Sequence, residues 1–212
     1  MEDVVFVSVA FGERYVEQQR RLKESILAIY PSANIMFWAD EYPPGSRTMD
    51  ESLYGFKVHA IMEANKTFSR VVWVDTAMVL HDKIDDLFKY SIVAVRDDNK
   101  LYNLISDRAA NYYEMNKGTI QYKEWHLVGG SLYYFDFTTH DASIIFGHWF
   151  RSERDGIFGS QRESASEQIN GHRHDETCMA MCMYIYGIEP ISGDQVRYCI
   201  ENNPMVTKQH FK

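Results

Sequence analysis

Cysteine is scarce in this chain, and what there is builds no framework. Its 212 residues include three cysteines, Cys178, Cys182 and Cys199. An odd count excludes a fully paired disulfide scaffold and suits a reducing, cytoplasmic compartment. No stretch approaches the roughly 18 uninterrupted apolar residues of a membrane-spanning helix. The opening Met1-Glu2-Asp3-Val4-Val5 lacks a basic segment ahead of an apolar run, so a soluble protein without a signal peptide is expected. Positive charge is also in deficit. Lys and Arg number 22 against 30 Asp and Glu, a net charge of −8 that argues against nucleic acid or an anionic membrane as the main partner. Glycine is missing where phosphate-binding loops need it. No Gly-Lys-Ser/Thr occurs, which excludes a P-loop, and the first strand-to-helix turn, Ala10-Phe11-Gly12-Glu13-Arg14, has one glycine where a dinucleotide fingerprint needs three.

What is present is a regular alternation. Val4–Ala10 reads as a buried strand, and 14–30 as a helix with Leu22, Ile26 and Ile29 on one face. Ile35–Ala39 reads as a second strand, Phe56–Phe68 as a second helix and Arg70–Asp75 as a third strand. Strand–helix–strand–helix–strand is the pattern of a parallel sheet with right-handed crossovers. Ile92–Val95 is expected as a fourth strand and 100–113 as a helix. Ile120–Tyr122 and His126–Phe135 are expected as strands of mixed direction, 141–151 as a helix, and Asp175–Tyr186 as a last helix stopped by Gly187. The polar stretch 152–171 has no periodicity and is long enough for a functional loop. We expect one domain over 1–212, with a nucleotide-binding half at about 1–98 and an acceptor-side half at about 99–212, standing alone or within a longer polypeptide. Cys178 and Cys182 lie in an apolar helical pattern and read as buried thiols rather than a zinc pair.

Five places carry candidate chemistry. The third strand ends on Asp75, followed by Thr76 and Ala77, and the second ends on Asp40. In open α/β sheets ligands sit outside the carboxyl ends of the strands, so both acids face a crevice unless they merely cap turns. A phosphoryl-aspartate hydrolase would need a second acid two residues after the first, where this chain has Ala77. Magnesium and manganese prefer oxygen ligands and often take only one or two carboxylates, with phosphates completing the shell. Asp75 suits that role. The run His172-Arg173-His174-Asp175-Glu176 opens the last helix, where Asp175 either caps the helix or serves as a base or a ligand of an acceptor sugar, with Glu176 as its substitute. Gly129-Gly130 lets backbone approach a ligand, or forms a β-bulge. His210, in the tail, is a further candidate metal ligand.

With these residues in hand the chain resembles the GT-A-type nucleotide-sugar glycosyltransferases, and among them a small domain encoded by large chlorella viruses. The stretches that carry the resemblance are Phe6–Gly12, Tyr54–Ala60, Val71–Ala77, Val128–Ser131 and His172–Glu176. The resemblance implies an α/β fold with a GT-A-like (Rossmann-like) mixed, mostly parallel central sheet and helices on both faces. It implies a UDP-sugar donor, a glycan acceptor, Mn2+ or Mg2+, and transfer of a glucose- or rhamnose-like sugar. Ala10, Phe11, Gly12, Arg14 and Asp40 would hold the nucleoside. Asp75-Thr76-Ala77 stands where that family has its Asp-x-Asp metal motif, so the metal would rest on Asp75 and His210 with Ala77 in place of the second acid. Thr76, Ala77, Gly129 and Gly130 would line the donor, and Asp175 would be the base. Two other readings stay open: a non-catalytic nucleotide-sugar or carbohydrate-binding module, favoured by Ala77, and an NAD-dependent oxidoreductase, which the first turn does not favour.

Overall fold

A computed structural model of the chain describes residues 2–116, 119–160, 172–196 and 200–202. Its centre is a five-stranded sheet in the order β2-β1-β3-β6-β5. These strands are β1 (Val4–Ala10), β2 (Asn34–Ala39), β3 (Arg70–Val74), β5 (Ile92–Lys100) and β6 (His126–Asp136). β1 pairs in parallel with both β2 and β3. β6 is antiparallel to both β3 and β5, so it is the reversed strand in a sheet otherwise of one direction. A small antiparallel pair, β4 (Met78–Leu80) with β7 (Ile200–Asn202), lies apart.

The alternation of side chains along the strands decides what covers each face. Val5, Val7, Val9, Val71, Trp73, Tyr133 and Phe135 point to one side. There they meet α2 (Phe56–Asn65), α5 (His140–Arg154) and α6 (His174–Ile185). Val4, Phe6, Val72, Val74, Leu132 and Tyr134 point to the other, against Leu22 and Ile26 of α1 (Glu13–Ile29). Burying both faces explains why β1 and β3 are continuous apolar runs rather than alternating ones. The parallel core is as expected from the sequence, and so are helices on both faces.

Boundaries differ in instructive ways. Ile120–Tyr122 is not a strand. It opens α4 (Ile120–Glu124), because β6 already has a partner along each edge and offers no place for another strand. The helix expected at 100–113 is cut short. β5 runs on to Lys100, a 3-10 turn covers Leu101–Asn103, and α3 (Asp107–Tyr112) starts where the Ser106 hydroxyl accepts the Ala109 N–H at 3.1 Å. α2 stops at Asn65, three residues before Phe68. α5 begins at the Thr139 cap and reaches Arg154, so the expected loop starts later, and 161–171 lie outside the described residues. Gly187, at φ 72°, follows α6 as the expected stop. Cys178 and Cys182 are free and buried, as expected, whereas Cys199 lies outside the described residues. Among the described residues no helix is long and apolar enough to cross a membrane.

Candidate active site

The carboxyl ends of β2, β1 and β3 open side by side, and the cleft forms there. Its cavity of about 290 Å³ is bounded by Phe11, Tyr54, Phe56, Trp73 and the run Asp75–Ala77. That volume is at the low end for small-molecule sites and suits a ring-sized group such as a base or one sugar. Four non-glycine residues among those described have positive φ, and three of them surround this end of the sheet: Asp40 (56°), Tyr54 (59°) and His174 (47°). Left-handed backbone costs an L-residue about 1–2 kcal/mol, and such strain gathers where function requires it.

At the ends of β1 and β2 the first turn is held by a carboxylate rather than by glycines. The Gly12 N–H donates to Asp40 Oδ1 at 2.7 Å, joining the ends of β1 and β2. Phe11 faces the cleft and packs against Tyr42 with ring centroids 4.3 Å apart. Ala10 is buried in the sheet, and Arg14 is exposed, its guanidinium 5.8 Å above the Tyr15 ring. Thr76 and Ala77 line the cleft beside Asp75.

The centre of the site is a residue the sequence reading did not single out. Lys57, on the first turn of α2, is buried with its side chain 5% exposed. Its Nζ lies 2.9 Å from Asp175 Oδ2 and 3.6 Å from Asp75 Oδ1, and it donates to the Gly130 carbonyl at 2.9 Å. The rings of Tyr54, Trp73 and Tyr133 surround it, with centroids 5.2, 5.6 and 6.0 Å from Nζ. Trp73 Nε1–H donates to both Asp75 Oδ1 (3.0 Å) and the Gly130 carbonyl (3.1 Å). The Gly130 N–H in turn donates to Glu176 Oε1 at 3.0 Å, while Arg173 Nε donates to Glu176 Oε2 at 3.0 Å. Thus Asp75, Gly130, Asp175 and Glu176, chosen separately from the sequence, meet around one ammonium. The available signal was a lysine between Phe56 and Val58 on a helix whose first turns are mostly apolar, because Lys is almost never fully buried unless paired.

The two glycines behave differently. Beside them the β5–β6 ladder slips, since Ala94 pairs with Tyr133 but Val95 with Gly129. That irregularity agrees with the bulge reading. A Cβ on Gly130 would lie 2.7 Å from Lys57 Nζ and 3.0 Å from Asp175 Oδ2, so the close approach is real at Gly130. At Gly129 the nearest atom is the Val95 carbonyl oxygen at 3.9 Å, and no such need exists.

Charge follows from this crowding. Burial pushes Lys57 down, but Asp175 and Asp75 more than offset it, so the ammonium is held charged. Burial pushes Asp175 up; Lys57 pulls it back and Glu176 opposes, leaving it at about 7. Burial likewise raises Asp75 against the pull of Lys57, although its side chain keeps 36% exposure at the cleft. Asp175 is 3% exposed and Glu176 19%. The neighbouring histidines serve the fold. His172 Nε2–H donates to the Ile157 carbonyl (3.0 Å) and His174 Nδ1–H to that of Phe158 (2.6 Å), fastening the start of α6 to the chain beyond α5. Burial lowers His174 and keeps it neutral at pH 7.

Among the described residues no three His, Cys, Asp or Glu side chains are placed to hold a metal ion, and His210 lies outside them. The donor set still fits a divalent cation held by one carboxylate. Asp75 gives Oδ1 to Trp73 and Lys57 and keeps a partly exposed side chain in the cleft. Magnesium and manganese often take one or two carboxylates, with substrate oxygens and water completing the shell.

No protein-family model matches the chain, and no curated protein matches its sequence. Among solved structures, the apo form of the WbbM bifunctional glycosyltransferase matches over 90% of this chain with a TM-score of 0.53 and 12% identity. The fold is GT-A-like. The chain spans 39% of the length of that structure. A glycosyltransferase involved in the glycosylation of the major capsid of PBCV-1 matches over 80% of this chain and 78% of its own, with 12% identity and a TM-score of 0.45. At such identities the likeness concerns the fold, and the GT-A-like fold leaves the chemistry to be argued from the cleft.

Proposed function

We propose that the protein is a glycosyltransferase that moves a hexose or deoxyhexose, glucose- or rhamnose-like, from a UDP-sugar to an acceptor glycan. The observation that carries this reading is that Asp75 and Lys57 line a cleft at the carboxyl ends of the parallel strands, with Asp175 buried against the Lys57 ammonium behind it. In this reading the Phe11 and Tyr42 rings and the Asp40–Gly12 turn take the nucleoside. Asp75 holds Mn2+ or Mg2+. A divalent cation bound there neutralises the leaving diphosphate as a Lewis acid. Asp175 accepts the proton of the attacking hydroxyl, with Glu176 as its substitute, and a value of about 7 suits a base working near neutral pH. Because Asp175 is 3% exposed, the acceptor must first displace a neighbour. The test is titration calorimetry of UDP-sugars with Mn2+. The reading fails if no UDP-sugar binds, or if Asp75→Ala binds as tightly as the parent.

A second reading is favoured by Ala77, which leaves Asp75 without a second acid at the metal motif, and by the shielding of Asp175. It is a module that binds nucleotide-sugars or carbohydrate without turnover. Release of UDP in the presence of an acceptor sugar eliminates it.

A further inference from the structure

We propose that Lys57 is a positioning residue for the transfer, acting through Asp175 and Gly130 rather than by touching the donor. The inference rests on the transferase reading above and adds to it a residue that fixes how the two halves of the site face each other.

Among the described residues, Lys57 is the side chain that contacts the donor-side acid after β3, the acid at the start of α6 and the glycine of β6 together. Each partner is fixed in its own right. Trp73 holds Asp75 Oδ1, Glu176 holds the Gly130 N–H, and the Trp149 indole N–H donates to the Asp175 carbonyl at 3.0 Å. The ammonium therefore has one place to sit, and its removal frees the Asp175 carboxylate to reorient. The surroundings also argue against a role as a phosphate ligand. Lys57 borders the cleft, but its ammonium is engaged: Asp75 and Asp175 contact it, the Gly130 carbonyl accepts from it, and the rings of Tyr54, Trp73 and Tyr133 surround it. A diphosphate oxygen reaching Nζ would meet carboxylates first. The lack of a side chain at Gly130 makes the arrangement possible, since a Cβ there would overlap Nζ.

A merely structural Lys57 would affect stability and leave the kinetics of the folded protein unchanged. The test uses the full chain with Mn2+, measuring UDP affinity by calorimetry and UDP release from UDP-glucose with an acceptor sugar. For Lys57→Met the expected result is a fall in kcat of about 100-fold, as for a small displacement of a reacting group, with the Kd for UDP within about threefold of the parent. Lys57→Arg keeps the charge but moves it, and covers the case in which Lys57→Met does not fold. Its kcat is expected to fall at least about tenfold with the Kd again unchanged. An unchanged kcat in a folded variant overturns the proposal, and so does a loss of UDP affinity in step with kcat, which would make Lys57 a donor ligand. A parent protein that neither binds UDP nor releases it overturns the transferase reading, and this proposal with it. With a parent that turns over normally, the variants bear on Lys57 alone.

Discussion

The indole of Trp73 and the carboxylate of Asp75, two residues apart, are joined by a 3.0 Å hydrogen bond across the end of β3. The bond commits one oxygen of the acid to the sheet, while the side chain keeps its 36% exposure in the cleft. A bare turn would leave Asp75 free to rotate. Here its orientation is fixed by a ring packed in the core, with 1% of its surface exposed.

Trp73→Phe keeps most of the packing and deletes the donor to Asp75 and to the Gly130 carbonyl. Groups that orient a metal-binding carboxylate typically matter about 10- to 100-fold in metal affinity. We expect Mn2+-dependent UDP binding to weaken about tenfold, measured by calorimetry. An unchanged affinity would remove Asp75 from the cation site.

If Asp175 is the base proposed above, it sets opposite pH trends for stability and for activity. Its folded value, about 7, lies above the ordinary 3.8, so the folded state binds the extra proton. The stability it contributes is full below the ordinary value and is lost as pH rises through about 7. With Asp175 as the proposed base, activity needs the ionised form and is expected to rise through the same range. The measurements are urea denaturation and kcat/KM between pH 5 and 9, a range of about two units either side of that value. Asp175→Asn is expected to abolish the rise in kcat/KM together with most of the activity.

Asp40 combines a left-handed backbone with the acceptor for the Gly12 N–H. Asp40→Ala loses the hydrogen bond and retains the strain, and should cost about 1–3 kcal/mol in denaturant unfolding while weakening UDP binding. Asn tolerates this backbone and can still accept, so Asp40→Asn should stay within about 0.5 kcal/mol of the parent. Equal losses in the two variants would contradict the assignment.

The loop before α2 is pinned from beneath by a second buried acid. Glu153 is fully shielded, with His59 Nε2 at 3.2 Å and Arg47 Nε at 3.5 Å, and Arg47 also donates to the Glu153 carbonyl at 2.9 Å. Burial pushes Glu153 up, but His59, Ser52 and Arg47 bring it below its ordinary value. Its contribution is therefore present above that value and is lost as pH falls through the folded one. Breaking such a pair costs about 3–5 kcal/mol. Glu153→Leu should lose that much in urea denaturation, and a loss below about 1 kcal/mol would show that the pair does not anchor the loop.

Gly130→Ala tests the crowding directly. A methyl group placed 2.7 Å from Lys57 Nζ must displace the ammonium, and overpacking of this kind costs about 1–3 kcal/mol. Gly129→Ala, where the nearest atom is 3.9 Å away, should unfold at the same denaturant concentration as the parent.

The sequence by itself determined the parallel core. Val4–Ala10 and Val71–Val74 are apolar at every position but Ser8, a pattern that only a strand covered on both faces sustains. It also marked Asp40, Asp75, Gly130, Asp175 and Glu176, because an acid at a strand end, a paired glycine and a dense charged run are local signals. It misjudged Ile120–Tyr122, which open a short helix ahead of β6, a strand already paired along both edges. Tertiary structure alone decided that Lys57 stands among those acids. Asp75, Gly130 and Asp175 lie 18, 73 and 118 residues beyond it, and no local pattern links positions so far apart. Only when α2, β3, β6 and α6 pack does the cost of burying an ammonium find its offset in two carboxylates, a carbonyl and three rings, and there the electrostatics of the site are set.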